Sequence, residues 1–221
     1  MSKTTLFQLR AHDGQVFDGS TLGLAIRAEH NVAVLQTGNG LRLDKGALEL
    51  PWNQRLAQLH SFTIEATVTP RQIAGDRRNI VEAQEPPVAL FIQPDGKLVG
   101  SVRTKDGWVS VDSGKVTLAQ GQKAQVRFLR HADGDLELQI NDRTVGKAKS
   151  SGTLVPAGKT GFTIGAWIDG TRYPFVGEIE DLAIHEGVAS KGASDLTARA
   201  QAIVAEFQKK TQLKRVRVSL I

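Results

Sequence analysis

The stretch Ser61-Phe-Thr-Ile-Glu-Ala-Thr-Val-Thr-Pro70 decides the fold. Phe62, Ile64, Ala66 and Val68 alternate with Thr63, Glu65, Thr67 and Thr69. A period of two puts the apolar set on one face of a β-strand and the polar set on the other. Pro70 cannot donate to a ladder, so the strand ends there or lies at an edge. Working outward, short β-type runs recur between turn signals, the spacing of an all-β domain. On the N-terminal side Val32–Leu35 precedes a turn at Thr37-Gly38-Asn39-Gly40. Leu41, Leu43, Leu48 and Leu50 then flank Asp44-Lys45-Gly46. On the C-terminal side Val88–Ile92 meets a turn at Pro94-Asp95-Gly96, followed by Leu98, Gly100 and Val102. Asp106-Gly107 and Asp133-Gly134 mark two hairpins. Asn141-Asp142 should turn the chain into Arg143-Thr144-Val145, and Phe162–Trp167 and Ile179–Ile184 read as the last sandwich strands.

One helix stands apart. Ser194 can cap it, Asp195 suits its first turn, and Leu196, Ala200, Ile203, Val204 and Phe207 recur at helical spacing. Alternation returns at Val216, Val218 and Leu220. The expected organisation is a β-sandwich over residues 1–190 and a C-terminal helix with a basic terminal strand over 191–221.

The chain of 221 residues is long enough for a full two-sheet core. Its net charge of +5 is unevenly placed. Residues 191–221 hold seven basic and two acidic side chains, leaving 21 of each sign in the first 190. The sandwich is therefore neutral, and no nucleic-acid footprint spreads over it. No apolar run approaches the roughly 20 residues of a membrane span. There are no cysteines, which excludes disulfides, thiolate metal sites and a cysteine nucleophile. The first ten residues lack the apolar core of a secretory signal, so a cytoplasmic, virion-associated or non-classically exported protein is expected.

Three stretches in order carry a family resemblance. Gly40-Leu-Arg-Leu-Asp44 through Leu48-Glu-Leu-Pro51, then Ser61–Pro70, forms the first. Leu136-Glu-Leu-Gln-Ile-Asn141 with Asp142 forms the second, and Gly161-Phe-Thr-Ile-Gly-Ala166 with Pro174-Phe-Val-Gly-Glu-Ile-Glu-Asp-Leu-Ala-Ile184 the third. Together they resemble the laminin-G-like jelly rolls of the concanavalin A-like superfamily. The resemblance implies an all-β, two-sheet antiparallel jelly-roll sandwich. The chain departs from the pattern at Asp142, where the family has glycine, and at Ala124–Phe128, where the family's tryptophan is missing. In the closing stretch Ile179 differs in parity from Leu182 and Ile184, so a bulge near Glu180-Asp181 is needed to keep all three inward.

The resemblance also implies candidate chemistry. Related sandwiches include glycoside hydrolases, which use paired carboxylates on one strand face. Here Glu178 and Glu180 are followed by Leu182, which breaks that face and argues against a hydrolase or lyase. Laminin-G-like domains often hold calcium, and Asp44, Asp169 and Asp181 fall in or beside the matched stretches as its candidate ligands. The five histidines show no zinc spacing. Trp167-Ile-Asp-Gly-Thr-Arg-Tyr173 gathers Trp167, Asp169, Arg172 and Tyr173 in one loop, a combination that can stack on a sugar ring and bind its hydroxyls. Trp108 is expected to pack on its sheet and Trp52 to lid the core. The expected function is a non-catalytic recognition module binding glycan or protein through loops at one end of the sandwich. A structural subunit of a phage or bacterial surface assembly is the alternative. The terminal strand is a candidate homo-oligomer contact, because an unpaired edge favours association.

Overall fold

A computed structural model describes residues 3–28, 31–35 and 40–188. The helix expected near Asp195, the terminal strand and the oligomer contact assigned to it lie outside the described residues. The strands, in chain order, are β1 (Thr4–His12), β2 (Gln15–Asp18), β3 (Arg27–Ala28), β4 (Val32–Val34), β5 (Gly40–Asp44), β6 (Leu48–Glu49), β7 (Phe62–Pro70) and β8 (Arg78–Gln84). They continue as β9 (Pro87–Ile92), β10 (Lys97–Thr104), β11 (Gly107–Thr117), β12 (Ala124–Arg130), β13 (Leu136–Ile140), β14 (Arg143–Ala148), β15 (Phe162–Ile164) and β16 (Val176–Glu186). One sheet runs β14-β13-β12-β7-β16-β1-β2, with β5 also pairing β16 and β4 pairing β5. The second runs β11-β10-β9-β8-β15-β6-β3. All named pairings are antiparallel. The protein is the two-sheet jelly-roll sandwich expected from the sequence.

The sheets bury one shared core. From β7 it takes Phe62, Ile64, Ala66 and Val68, and from β9 Val88, Leu90 and Ile92. Phe62 and Phe128 meet edge to face at 5.5 Å between ring centroids. Gly100 sets the spacing at the middle of the sandwich: a Cβ there would lie 2.5 Å from the Phe128 ring of the opposite sheet.

Local chemistry explains the irregular points. Asn141 and Asp142 have φ of +50° and +62°, the two left-handed positions of a type I′ hairpin turn. Asp142 takes the place of glycine there and pairs with Arg127. The bulge required by parity is present. The β7–β16 register shifts between Glu180 and Ala183, Asp181 adopts φ of +51°, and Ile179, Leu182 and Ile184 are all fully buried. Lys45, at φ of +61°, lies where the chain leaves β5 in the first sheet and enters β6 in the second. Strand β15 stops at Ile164, earlier than expected, because Gly165 turns at φ of +87° and donates its N–H to the Ile80 carbonyl.

Two elements escaped the sequence reading. One is the β1–β2 hairpin around Asp13-Gly14, with φ of +49° and +74°. The other is the single helical turn α1 (Gln54–Ala57), capped by the Asn53 carboxamide, which accepts from Arg55 N–H at 2.9 Å. Trp52 does not lid the core. It is 39% exposed, its indole N–H donates to Glu85 at 2.7 Å, and Lys159 lies over its ring at 4.3 Å. Pro51 carries it past the last core position, Leu50. No helix among the described residues is long and apolar enough to cross a membrane.

Candidate functional site

The outward face of the second sheet builds the site. Strand alternation turns Val88, Leu90 and Ile92 inward and leaves Ala89 and Phe91 on the other face, where they cluster with Val99. The register lines up one outward row across the sheet. Ser110 opposes Ser101, Ser101 opposes Ala89, and Ala89 opposes Glu82. The row continues from Glu82 to Thr163, Glu49 and Arg27. Ser101 and Ser110 share a hydrogen bond at 2.7 Å.

The loop from Trp167 to Tyr173 rises from this face as a wall. It is closed on itself by Gly170 N–H donating to Trp167 O at 2.7 Å and Trp167 N–H donating to Arg172 O at 2.8 Å. Tyr173, held at φ of +54°, ties it to β8 by accepting from Asn79 N–H at 3.0 Å. Asp169 serves the loop from within. Its carboxylate accepts from the backbone of Thr171 and Arg172 at 2.9 Å each and from the Arg172 Nε at 2.5 Å. A slight burial cost pushes this carboxyl up, and the hydrogen bonds from Arg172 and Thr171 more than reverse it, holding it well below the usual carboxylate range. Arg172 in turn lies flat on Trp167, 3.6 Å from its ring centroid.

Between sheet and loop lies an open cleft of about 430 Å³. Trp167, Arg172 and Tyr173 line one side, and Arg77, Glu82, Phe91, Ser101, Ser110 and Trp108 complete it. The Glu82 carboxylate, 5% exposed, accepts from Arg77 at 2.8 Å and from the Asn79 amide. Burial pushes this carboxyl above its ordinary value, outweighing the downward pull of Arg77, Asn79 and Trp167. Trp108, expected to pack on its sheet, is 51% exposed at the rim of the cleft. It stands on an outward position of β11, whose inward neighbours Val109 and Val111 meet the core. A second hollow of about 340 Å³, lined by Arg27, Glu49 and Pro51 among others, lies further along the same row.

The structure thus brings together Trp167, Arg172 and Tyr173 and assigns Asp169 to holding their loop. Arg77, Glu82 and Phe91 were missed by the sequence reading. The available signal was Glu82 itself, a lone acid among Ile80, Val81 and Ala83 in an otherwise apolar strand.

The calcium candidates do not converge. Asp44 opposes Val176 at one end of the β5–β16 ladder, and Asp181 follows Glu180, which opposes Gly40 at the other. Four residues of strand separate these ends, roughly 13 Å. The Asp169 carboxylate is occupied by its own loop. Among the described residues no group of three or more histidine and acidic side chains is placed to hold a metal ion. The three aspartates therefore do not fit a common calcium ion. Glu178, on the outward face of β16, is paired with Arg42 at 2.9 Å and Arg71 at 2.8 Å, and Glu180 with Lys123 at 2.6 Å.

Comparison with known proteins agrees with the architecture. The binding domain of Paraclostridial Mosquitocidal Protein 1 superposes with a TM-score of 0.72 at 11% identity, covering 88% of this chain and 51% of that one. The receptor binding domain of botulinum neurotoxin C/D mosaic serotype gives 0.71 at 14% identity, covering 90% and 51%. The ligand binding domain of botulinum neurotoxin serotype D, solved in complex with N-acetylneuraminic acid, gives 0.65 at 15% identity, with the same coverage. The chain spans about half the length of these structures. At such identities the likeness shows a common fold. No curated protein matches the chain in sequence. The Laminin_G_3 family model matches residues 44–192, more than half of the chain, and so the protein belongs to the concanavalin A-like lectin/glucanases superfamily.

Proposed function

We propose that this protein is a non-catalytic recognition module that binds a glycan in the cleft between the Trp167–Tyr173 loop and the outward face of the second sheet. The observation that carries the reading is Trp108. An indole ring held half in water forgoes the gain of burial, and this one faces solvent at the rim of a cleft whose other side is Trp167 and Tyr173. Indole and phenol rings present flat apolar faces to the C–H face of a pyranose, while hydroxyls and guanidinium groups bond its oxygens. Ser101, Ser110, Arg77 and Arg172 supply those polar groups. The fold-level likeness to toxin binding domains, one of them solved with N-acetylneuraminic acid, supports a binding role. Against catalysis stand the arginine and lysine pairings of Glu178 and Glu180 and the two donors on Glu82, which among the described residues leave no two free carboxylates flanking the cleft.

The test is a glycan array followed by titration calorimetry on the best ligand. Trp108→Ala should weaken binding about tenfold, the loss of one stacking contact, with the melting temperature unchanged. Full affinity in Trp108→Ala, or an array without any signal, would remove the cleft as a glycan site.

A further inference from the structure

We infer that the ligand of this cleft is an acidic saccharide, one that presents a carboxylate to Arg77 and Arg172. The inference rests on the cleft being the glycan site and follows from counting its hydrogen-bonding groups. Among the described residues Glu82 is the one carboxylate lining the cleft, and Arg77 and Asn79 already engage it. Ser101 and Ser110 are bonded to each other. The donors are in surplus. Arg172 commits its Nε to Asp169, its plane to Trp167, and is 57% exposed at its side chain, so its two terminal nitrogens point their N–H groups to solvent or ligand. Arg77 spends one terminal nitrogen on Glu82, and its Nε is buried without a hydrogen-bond partner.

Both guanidinium groups are also backed by aromatic rings. Phe91 and Tyr173 hold Arg77 between them, and Trp167 backs Arg172. A stacked guanidinium has lost little freedom left to lose, and its planar fork matches a carboxylate in two parallel hydrogen bonds. A neutral sugar would leave the surplus donors facing hydroxyls that must also be solvated. A peptide carboxylate could satisfy the same forks, but it has no use for the exposed Trp108 ring and the paired hydroxyls on the opposite side of the cleft.

The experiment is an array of matched pairs: uronate oligosaccharides beside their methyl esters, sialylated glycans beside their asialo forms, sulfated glycans beside unsulfated ones, and a heptaglutamate peptide. Signal should fall on carboxylate members and drop at least tenfold in each ester or asialo partner. Arg172→Gln should erase that difference, bringing the binding of each acid down to that of its ester or asialo partner in the same variant. Arg77→Lys, which keeps the charge and loses the planar fork, should reduce it. Equal binding of esters and acids, or binding confined to neutral or to sulfated members, would overturn the inference while leaving the glycan site standing. Heptaglutamate binding as tight as the best saccharide would overturn it in favour of a peptide. No binding by any member would remove the site itself.

Discussion

The Arg77 guanidinium lies 4.6 Å from the ring centroid of Phe91 and 4.3 Å from that of Tyr173, so one cation bridges a sheet residue and a loop residue. Its terminal nitrogen also neutralises the buried Glu82. Removing it leaves a nearly buried carboxylate without its ion-pair partner. Arg77→Ala is therefore expected to destabilise the protein by about 3 kcal/mol, within the range for breaking a buried pair from one side. Arg77→Lys should cost less, since it retains charge and loses only the stacking, about 1 kcal/mol. Urea unfolding of both variants measures the order. Equal losses in the two would mean that the stacking, and not the charge, holds the loop.

The opposite face of the sandwich has its own network. Glu65 on β7 pairs with Lys3 at 2.9 Å, Arg127 at 3.0 Å and His185 at 3.0 Å. Burial would raise its carboxyl, but the hydrogen bonds from His185 and Lys3 win and lower it from 4.5 to about 2. A carboxyl depressed by folding stabilises the native state above its unfolded value and loses that contribution as pH falls toward its folded value. Stability should therefore drop between pH 4.5 and about 2, by on the order of 2–3 kcal/mol from this residue. In Glu65→Gln that part of the acid slope should vanish. An unchanged slope would place the acid sensitivity elsewhere.

The hairpin turn at Asn141-Asp142 offers a stabilising change. Asp142 sits at φ of +62°, a conformation that costs an L-residue energy and glycine nothing. Its bond to Arg127 is a surface pair, the Asp142 side chain being 72% exposed, and such pairs contribute little. Asp142→Gly should raise stability by about 0.5–1 kcal/mol, read as a melting temperature a few degrees higher. A lower melting temperature would show that the Arg127 pair outweighs the backbone strain.

Calcium should leave the melting curve where chelator leaves it. Asp44 and Asp181 stand at opposite ends of one ladder, and Asp169 is held by its own loop. A ligand that binds only the native state must raise the melting temperature by mass action. A rise with millimolar calcium would therefore identify an ion held by groups other than these three together.

The fold was legible because its signals are local. Alternation in Phe62–Val68, the parity conflict at Ile179 and Leu182, and the turn at Asn141-Asp142 each show within ten residues. The site was half legible for the same reason. Trp167, Arg172 and Tyr173 share one loop, whereas Arg77 and Glu82 reach them only through the pairing of β8 with β15, where Thr163 opposes Glu82. That register is a long-range choice. The unbroken apolar run Val88–Ile92 also concealed the cleft, because it reads as a strand dry on both faces. Ala89 and Phe91 are indeed nearly buried, yet they point away from the core, cluster with Val99 and line the cleft.

The bulge at Asp181 is the sharpest test of how register places the whole closing strand. From Val176 to Glu180, β16 pairs with both β5 and β7, and from Ala183 onward it pairs with β7 in a register shifted at that point. One extra residue lets Ile179 and Leu182 both face the core despite their odd spacing. Deleting Asp181 makes Glu180 precede Leu182 directly, so Ile179, Leu182 and Ile184 alternate regularly and all three keep their inward positions. Glu180 and Ala183 can then face Thr67 and Glu65, their present partners, across an unbroken ladder. Deletion of Asp181 should therefore leave a cooperatively folded protein, as seen by near-ultraviolet circular dichroism and a melting scan. Asp181→Gly keeps the residue count and suits φ of +51°, so it should melt at or slightly above the parent. Loss of cooperative unfolding in the deletion variant would mean that the neighbouring strands need the bulge itself and not only the parity it reconciles.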